Sequence, residues 1–188
     1  MSELLGFLVL LFSCSSLYAG ELVFSSGSGQ KVLMELYTSE GCSSCPPMER
    51  YVNRLKSDDA LWESYIPVVF HVDYWNYIGW EDRFASPGFA DRQRQHADEG
   101  NVSSVYTPAL IVNGNGWRPG LFNQLPKLST RSAGKLEVNI NQNALAADFM
   151  PSTGGIPALD LHIALLGMDL ESRITAGENK GRTSQHEF

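Results

Sequence analysis

The sequence predicts an α/β fold, a central mixed sheet flanked by helices, followed by a β-rich C-terminal segment. Between residues 32 and 112, short apolar runs alternate with stretches of helical period, as strands covered by helices do. After Gly134 the helical period ends, and runs of alternating polarity are separated by turns rich in Pro, Ser, Thr and Gly. The 188 residues suffice for one domain and part of a second.

The first half of the chain supplies the alternating elements. Three apolar runs are typical of buried strands, and a stripe spaced i, i+3, i+4, i+7 after Pro46 marks a helix. Ser86 and Pro87 offer an N-cap and a first-turn proline for a second helix. The predicted strands cover 32–37, 66–73 and 109–112, and the predicted helices cover 46–56 and 87–99, with a hairpin turn at 113–114.

The second half predicts strands at 135–140, 159–166 and 172–175, followed by a polar turn at 177–182. No last strand follows to complete this layer, so we expect the C-terminal module to be incomplete. The predicted domains are therefore one over 31–130 and a truncated β-rich module over 135–188.

The N-terminus predicts export. An apolar run at 4–12 is followed by small and polar residues, as in a signal peptide over 1–19, and a Ser/Gly-rich flexible lead-in follows over 20–30. Export would place the protein in the periplasm or outside the cell. Cys14 has two interpretations, the lipid-bearing cysteine of a lipoprotein or a filler residue in a discarded signal.

Composition excludes two classes of partner. The net charge is −7 with no basic stretch, which argues against nucleic acid or an anionic membrane surface. No segment beyond the signal is apolar and long enough to span a bilayer.

Cys42 and Cys45 are the strongest functional signal, because they lie where an apolar strand gives way to a helix. A helix start lowers a thiol pKa and makes the thiolate a nucleophile. The pair could be a redox dithiol, half of a metal site or an inert structural disulfide. A zinc site would need a second pair of cysteines, and a disulfide that closes so small a loop would stabilise the fold little. Both points favour the redox dithiol. Glu40 precedes the pair, and its charge would oppose the thiolate.

Thr107 and Pro108 form the second candidate site, a docking edge for a substrate. In thioredoxin-like folds a cis proline opens the strand that faces the dithiol, and the residue before it offers backbone groups to a partner. Pro108 comes directly before an apolar strand, as that role requires. A trans proline at the first position of a strand is the alternative.

His71 and Asp73 end the second strand, at an edge where functional sites gather in open α/β sheets. His71 is either a hydrogen-bonded core residue or a third ligand for copper beside the two thiolates. Asp73 either accepts the proton released by the second cysteine or ends a loop. Trp75 belongs to an aromatic stretch over 74–84 that either packs inside or forms a rim for an extended partner.

Five motifs together carry a family resemblance: residues 35–47 with Gly-Cys-Ser-Ser-Cys-Pro-Pro, 71–75, 79–80, 92–93 and 105–108. They resemble a secreted thioredoxin-like family of bacteria and plants that is catalogued only as a domain of unknown function. The resemblance resumes at 177–182 and His186. It implies a thioredoxin-like domain with Cys42 and Cys45 as the redox pair. It does not identify a substrate. Members usually continue past the position of Phe188, and Asn76 stands where Asp is common.

The sequence therefore predicts an extracytoplasmic thiol–disulfide oxidoreductase without a cofactor or bound metal. Cys42 is expected to attack and Cys45 to resolve the mixed disulfide with an exported protein or a redox partner protein. Two alternatives stay open. One is a copper-handling module using Cys42, Cys45 and His71, and the other is a scaffold with a vestigial dithiol.

Overall fold

The computed structural model describes residues 22–120, 124–141, 144–155 and 158–188. The predicted signal peptide over 1–19, with Cys14, lies outside the described residues. In chain order the elements are β1 (Leu22–Ser25), β2 (Val32–Thr38), α1 (Pro46–Asn53), β3 (Tyr65–His71), α2 (Pro87–Asp98), β4 (Ala109–Val112), β5 (Asn115–Trp117), β6 (Gly134–Ile140), β7 (Leu145–Pro151), β8 (Leu170–Arg173) and β9 (Thr183–His186). The predicted mixed α/β class is confirmed in this coarse form, and the described chain is rich in strands.

A four-stranded sheet in the order β3-β2-β4-β5 forms the centre of the fold. β2 pairs in parallel with β3 and antiparallel with β4, so Leu36 lies between Val69 and Leu110. The parallel pair needs a crossover, and α1 provides it. β2 is an inner strand of the sheet. The loop from β2 to α1 therefore leaves the sheet at the C-terminal end of an inner strand and not beside an edge strand.

α1 begins at two prolines, which suit the first turn because its N–H groups have no partner inside the helix. The carbonyl of Cys45 accepts the backbone N–H groups of Met48 and Glu49, so the helix is anchored directly on the second cysteine. Val52 of α1, and Leu55 in the 3-10 turn Arg54–Ser57 that follows it, are fully buried against β2 residues such as Met34. Burial of each such side chain stabilises the fold by about 1.5–3 kcal/mol.

α2 covers the same sheet and neutralises a buried charge within it. Glu35 of β2 is 2% exposed, and its Oε1 accepts hydrogen bonds from Nε and Nη2 of Arg92 at 2.7 and 2.6 Å. His96, one turn further along α2, brings its Nε2 within 3.3 Å of Glu35 Oε2.

The remaining strands form a three-stranded sheet, β1-β6-β7, and the β8–β9 hairpin. The expectation that no strand follows the 177–182 turn is wrong, because the polar segment Thr183–His186 forms β9 by pairing with β8. β1 lies in the segment where we expected a flexible lead-in. Its Leu22 and Phe24 pair with Ile140 and Val138 of β6, which gives this stretch a neighbouring strand.

The predicted strand at 159–166 is wrong, since these residues form no strand. The stretch has the right alternation, but its apolar side chains stay in solvent, and Leu165 is fully exposed. A strand needs a neighbour to pair its backbone, and no sheet among the described residues takes this segment.

No helix in the described part of the chain reaches the length and apolar character that crossing a bilayer requires.

Candidate dithiol site

Cys42 and Cys45 are joined by a disulfide in the loop between β2 and α1, with their Cα atoms 5.5 Å apart. The loop is tightly turned: the Cys42 N–H donates to the Ser39 carbonyl at 3.1 Å, and the Cys45 N–H to the Cys42 carbonyl at 3.2 Å. Both cysteines are 0% exposed. The pair is therefore oxidised and closed to solvent in this structure.

Glu40, two residues before the disulfide, is buried and bonded on both carboxylate oxygens. Trp80 Nε1 donates to Oε2 at 2.7 Å, and His186 Nε2 lies 2.9 Å from Oε1. Burial alone would raise the pKa of Glu40, but hydrogen bonds from His186, Ser172 and Trp80 outweigh it and hold the pKa below its usual value. Glu40 is therefore a stable carboxylate directly beside the dithiol.

His71 and Asp82 form a second buried pair next to Glu40. His71 Nδ1 lies 2.7 Å from Asp82 Oδ2, and the same oxygen accepts the Glu40 N–H at 2.8 Å. Burial opposes both charges, but their mutual hydrogen bond raises the pKa of His71 and lowers the pKa of Asp82. The hydrogen bond thus favours the charged form of each partner.

The two histidines join these pairs into one network. The rings of His71 and His186 are edge to face with centroids 4.8 Å apart, and Phe84 packs edge-on against both. Glu40, His71, Asp82 and His186 are each less than 9% exposed. The dithiol loop therefore rests on a water-poor cluster of two carboxylates and two imidazoles.

Trp75 connects the dithiol loop to the predicted docking edge. Its Nε1 donates to Thr107 Oγ1 at 2.7 Å, while a side chain added at Gly41 would lie 3.2 Å from Trp75 Cβ. The Thr107–Pro108 peptide bond is cis, the isomer favoured from the sequence. Pro108 and Pro47 line one cavity of about 420 Å³, so the start of α1 and the start of β4 border the same space.

Asp73 and the aromatic stretch have varied surroundings. Asp73 is half-buried, and its backbone carbonyl accepts a hydrogen bond from the Asn76 N–H in a turn. Of the aromatic residues, Trp75 and Trp80 donate hydrogen bonds within the site, whereas Tyr77 is 82% exposed. Packing and exposure thus both occur within the one stretch.

The turn at residues 177–182, between β8 and β9, reaches the dithiol loop. Asn179 Nδ2 donates to the carbonyls of Glu40 and Cys42 at 2.8 and 2.9 Å, and Glu178 Oε2 accepts the Ser43 N–H at 3.1 Å. Asn179 is 1% exposed, and its Oδ1 is buried without a hydrogen-bond partner in the described structure.

Reasoning from the sequence missed Asp82, Glu178, Asn179 and the pairing of His186 with Glu40. The signal for three of them was present, because the family resemblance resumed at 177–182 and His186. Because these residues are far from the cysteines along the chain, the sequence did not show that they lie beside the dithiol.

In the described part of the chain, no three His, Cys, Asp or Glu side chains form a group that could hold a metal ion. His71, for which the sequence left open a core role or a role as a third copper ligand, uses its Nδ1 for Asp82.

The fold and the site define a class: a mixed α/β protein with a buried disulfide at a strand-to-helix turn, supported by a carboxylate–histidine network. Residues 33–188 match the family described as protein of unknown function DUF1223, and the chain belongs to this family. This agrees with the predicted membership of a family of unknown function.

Two further comparisons give little. No curated protein matches the chain. The crystal structure of a protein from Agrobacterium tumefaciens is similar, with 35% sequence identity and a TM-score of 0.41 over 47% of this chain. This chain spans 38% of that relative's length.

Proposed function

We propose that the protein is an extracytoplasmic thiol–disulfide oxidoreductase whose Cys42–Cys45 pair exchanges electrons with cysteines of exported proteins. The observation that carries the proposal is the disulfide itself, formed across two residues at the start of α1. A dithiol in this place has one sulfur to attack and a second close enough to resolve the product.

We further propose that residues 31–130 form a thioredoxin-like domain. The support is the path of the chain: parallel β2 and β3 joined through α1, and then antiparallel β4 and β5 on the other side of β2. In such a domain the dithiol follows the first core strand, as Cys42 follows β2.

The position of α1 supports nucleophilic chemistry at Cys42. The first turn of a helix carries the positive end of its dipole, and a thiolate there is stabilised relative to a thiol. Cys45 anchors the helix through its carbonyl, which leaves Cys42 as the sulfur ahead of the helix. Cys42 is therefore assigned as the attacking residue and Cys45 as the resolving one.

The exchange balances without a cofactor. The Cys42 thiolate attacks one sulfur of a substrate disulfide, the substrate S–S bond breaks, and its second sulfur leaves as a thiolate that takes a proton. Cys45, losing its proton, then attacks Cys42 Sγ and releases the first substrate sulfur. The substrate gains two electrons and two protons, and the Cys42–Cys45 bond forms. The same steps in reverse oxidise a substrate dithiol.

The cavity beside Pro47 and Pro108 supports the proposed docking edge. Its walls are mainly apolar and aromatic, with Tyr51, Tyr106 and Trp117 among them, and Arg118 at its border. A partner chain held there would lie beside both the start of α1 and the Thr107–Pro108 segment.

Mixed-disulfide trapping tests the proposal. In Cys45→Ser, Cys42 cannot be released by its neighbour, so incubation with an oxidised, scrambled ribonuclease should accumulate a stable adduct through Cys42. The matched variant Cys42→Ser should give at least tenfold less. If neither remaining cysteine reacts faster than a free thiol of ordinary pKa, the proposal is wrong.

A further inference from the structure

The dithiol site has a feature that an exchange reaction must overcome: neither cysteine of the disulfide is exposed. A thiol has to contact a sulfur along the line of the S–S bond in order to break it, so access is required for the reaction. The loop must therefore rearrange, or a neighbouring element must leave, before exchange begins.

The 177–182 turn binds this loop from outside the central sheet. Its Asn179 joins the two carbonyls that flank Gly41, and its Glu178 holds the Ser43 N–H between the two cysteines. These bonds span 135 to 139 residues along the chain. They fix the loop to the β8–β9 hairpin without using either sulfur.

The turn itself fits closely against the site. Gly177 has a left-handed φ of +70°, and a side chain there would lie 3.1 Å from Trp80 Cβ. Trp80 in turn donates to Glu40. The turn therefore rests on the same network that supports the dithiol loop.

Glu178 also places a negative charge beside the dithiol loop. Hydrogen bonds from Ser43 hold the pKa of Glu178 below its usual value, so the side chain is a carboxylate. A carboxylate on the Ser43 N–H occupies a donor next to Cys42 and repels a thiolate there. Docking of the turn thus opposes both access to Cys42 and its ionised form.

We propose that Glu178 and Asn179 are positioning residues of the dithiol site: they hold the Cys42–Cys45 loop closed, and exchange requires the turn to leave. The inference rests on the proposed function and assigns the control of that same site. The buried, unpartnered Asn179 Oδ1 agrees with this role, because an orphan acceptor lowers what is lost when the turn departs.

The step that the turn controls is the first attack. A thiolate of a dithiol reductant bonds to Cys42 Sγ, the Cys42–Cys45 bond breaks, and Cys45 leaves as a thiolate that takes a proton. The second thiol of the reductant, losing its proton, displaces Cys42 and forms the reductant's own disulfide. Two electrons and two protons pass to the protein.

Reduction kinetics of the full chain test the proposal. The oxidised protein is mixed with dithiothreitol, and free thiols are counted by alkylation and mass spectrometry. Asn179→Ala should be reduced about tenfold faster than the wild type, and Glu178→Ala about threefold faster. Lys180→Ala changes an exposed neighbour in the same turn and should stay within twofold of the wild type.

The pH profile separates positioning from mere loosening. In the reduced protein, Glu178→Gln should shift Cys42 alkylation to lower pH, because a repelling charge is gone. The other titratable groups around the loop are Glu40, Glu49, Asp82, His71 and His186, and none of them is changed. The proposal would be overturned if Glu178→Ala and Asn179→Ala were both reduced at the rate of Lys180→Ala and the pH profile of Cys42 alkylation in Glu178→Gln were unshifted. Glu178 is exposed, so its variants remain informative if Asn179→Ala fails to fold.

The two proposals fail in different ways. If the turn variants speed reduction but Cys42 still traps no ribonuclease, the turn controls access to a disulfide that is not an exchange site. If trapping succeeds and the turn variants change nothing, the exchange function stands and the positioning role falls.

Discussion

Two buried carboxylates, Glu35 in the middle of β2 and Glu40 just after it, are stabilised in different ways. Glu35 takes both its side-chain partners, Arg92 and His96, from one face of α2. Glu40 takes its partners from separate segments: Trp80 in the loop after β3, Ser172 in β8 and His186 in β9. The first carboxylate is satisfied within the central α/β layer, and the second only when the C-terminal hairpin is docked.

The difference shows what each charge does. Glu35, whose partners lie on α2, holds that helix on the sheet. This carboxylate lies away from the sulfurs. Glu40 lies two residues from Cys42 and is hydrogen-bonded to β8 and β9, so it couples the dithiol loop to the hairpin. Glu35 is therefore the matched control for Glu40.

Unfolding measurements should give the largest separation between the two. Glu40→Gln leaves His186 and Trp80 with a poorer acceptor in a fully buried place, and we expect a loss of about 3 kcal/mol in the free energy of unfolding. Glu35→Gln should lose about 1 kcal/mol, because the Arg92 side chain is about one third exposed and water can solvate it. Urea denaturation of the oxidised proteins measures both, and equal losses would contradict the distinction.

Dithiol reactivity should separate the two residues as well. Glu40→Gln weakens the bond to β9, so reduction of the disulfide by dithiothreitol should be roughly tenfold faster, which corresponds to about 1.4 kcal/mol. Glu35→Gln should stay within twofold of the wild type. An acceleration of similar size in both variants would mean that reactivity follows global stability and not the hairpin.

The pH dependence of stability sharpens the comparison at His71. Its pKa is raised in the folded protein, mainly through Asp82 against the effect of burial, so its contribution is complete below the unfolded pKa of about 6.5. That contribution is lost as pH rises through the folded pKa. The melting temperature of the wild type should therefore fall above about pH 6.5, and His71→Gln should lack this part of the fall.

The acid side of the same profile depends on Asp82 and Glu40, whose pKa values are lowered. Their contribution is present above the unfolded values of about 4 and is lost as pH falls below them. A profile in which His71→Gln follows the wild type throughout would contradict a raised pKa of His71.

The smallest expected effect concerns the link between the loop and the docking edge. Trp75→Phe keeps the aromatic ring but removes the hydrogen bond to Thr107, and we expect a loss of about 1 kcal/mol in unfolding free energy. Tyr77→Phe, at an exposed position of the same stretch, should change stability by less than about 0.5 kcal/mol. Calorimetry of the two variants checks the difference.

The central layer could be predicted because its signals are local. The apolar runs of β2 and β4, the stripe of α1 and the Ser86–Pro87 start of α2 each lie within a few residues. β7 was missed because its alanines and Asp148 weaken the strand pattern, and 159–166 was predicted wrongly because alternation cannot supply a partner strand.

The position of the cysteines was also predictable, but the network around them was not. Glu40 and His186 are 146 residues apart, and no local pattern pairs them. Asp82 and Trp80 lie in an aromatic loop without regular period. Their roles follow from how the chain folds back onto the end of β2.

The reduction potential of the Cys42–Cys45 pair tests the central claim most directly. The full chain is equilibrated in dithiothreitol and glutathione buffers of graded potential, and the oxidised fraction is read by alkylation and mass spectrometry. An exchange-active pair should give a potential above about −300 mV, within the range of about −270 to −120 mV covered by known exchange proteins. A potential below about −300 mV, which is typical of a structural disulfide, would contradict the account.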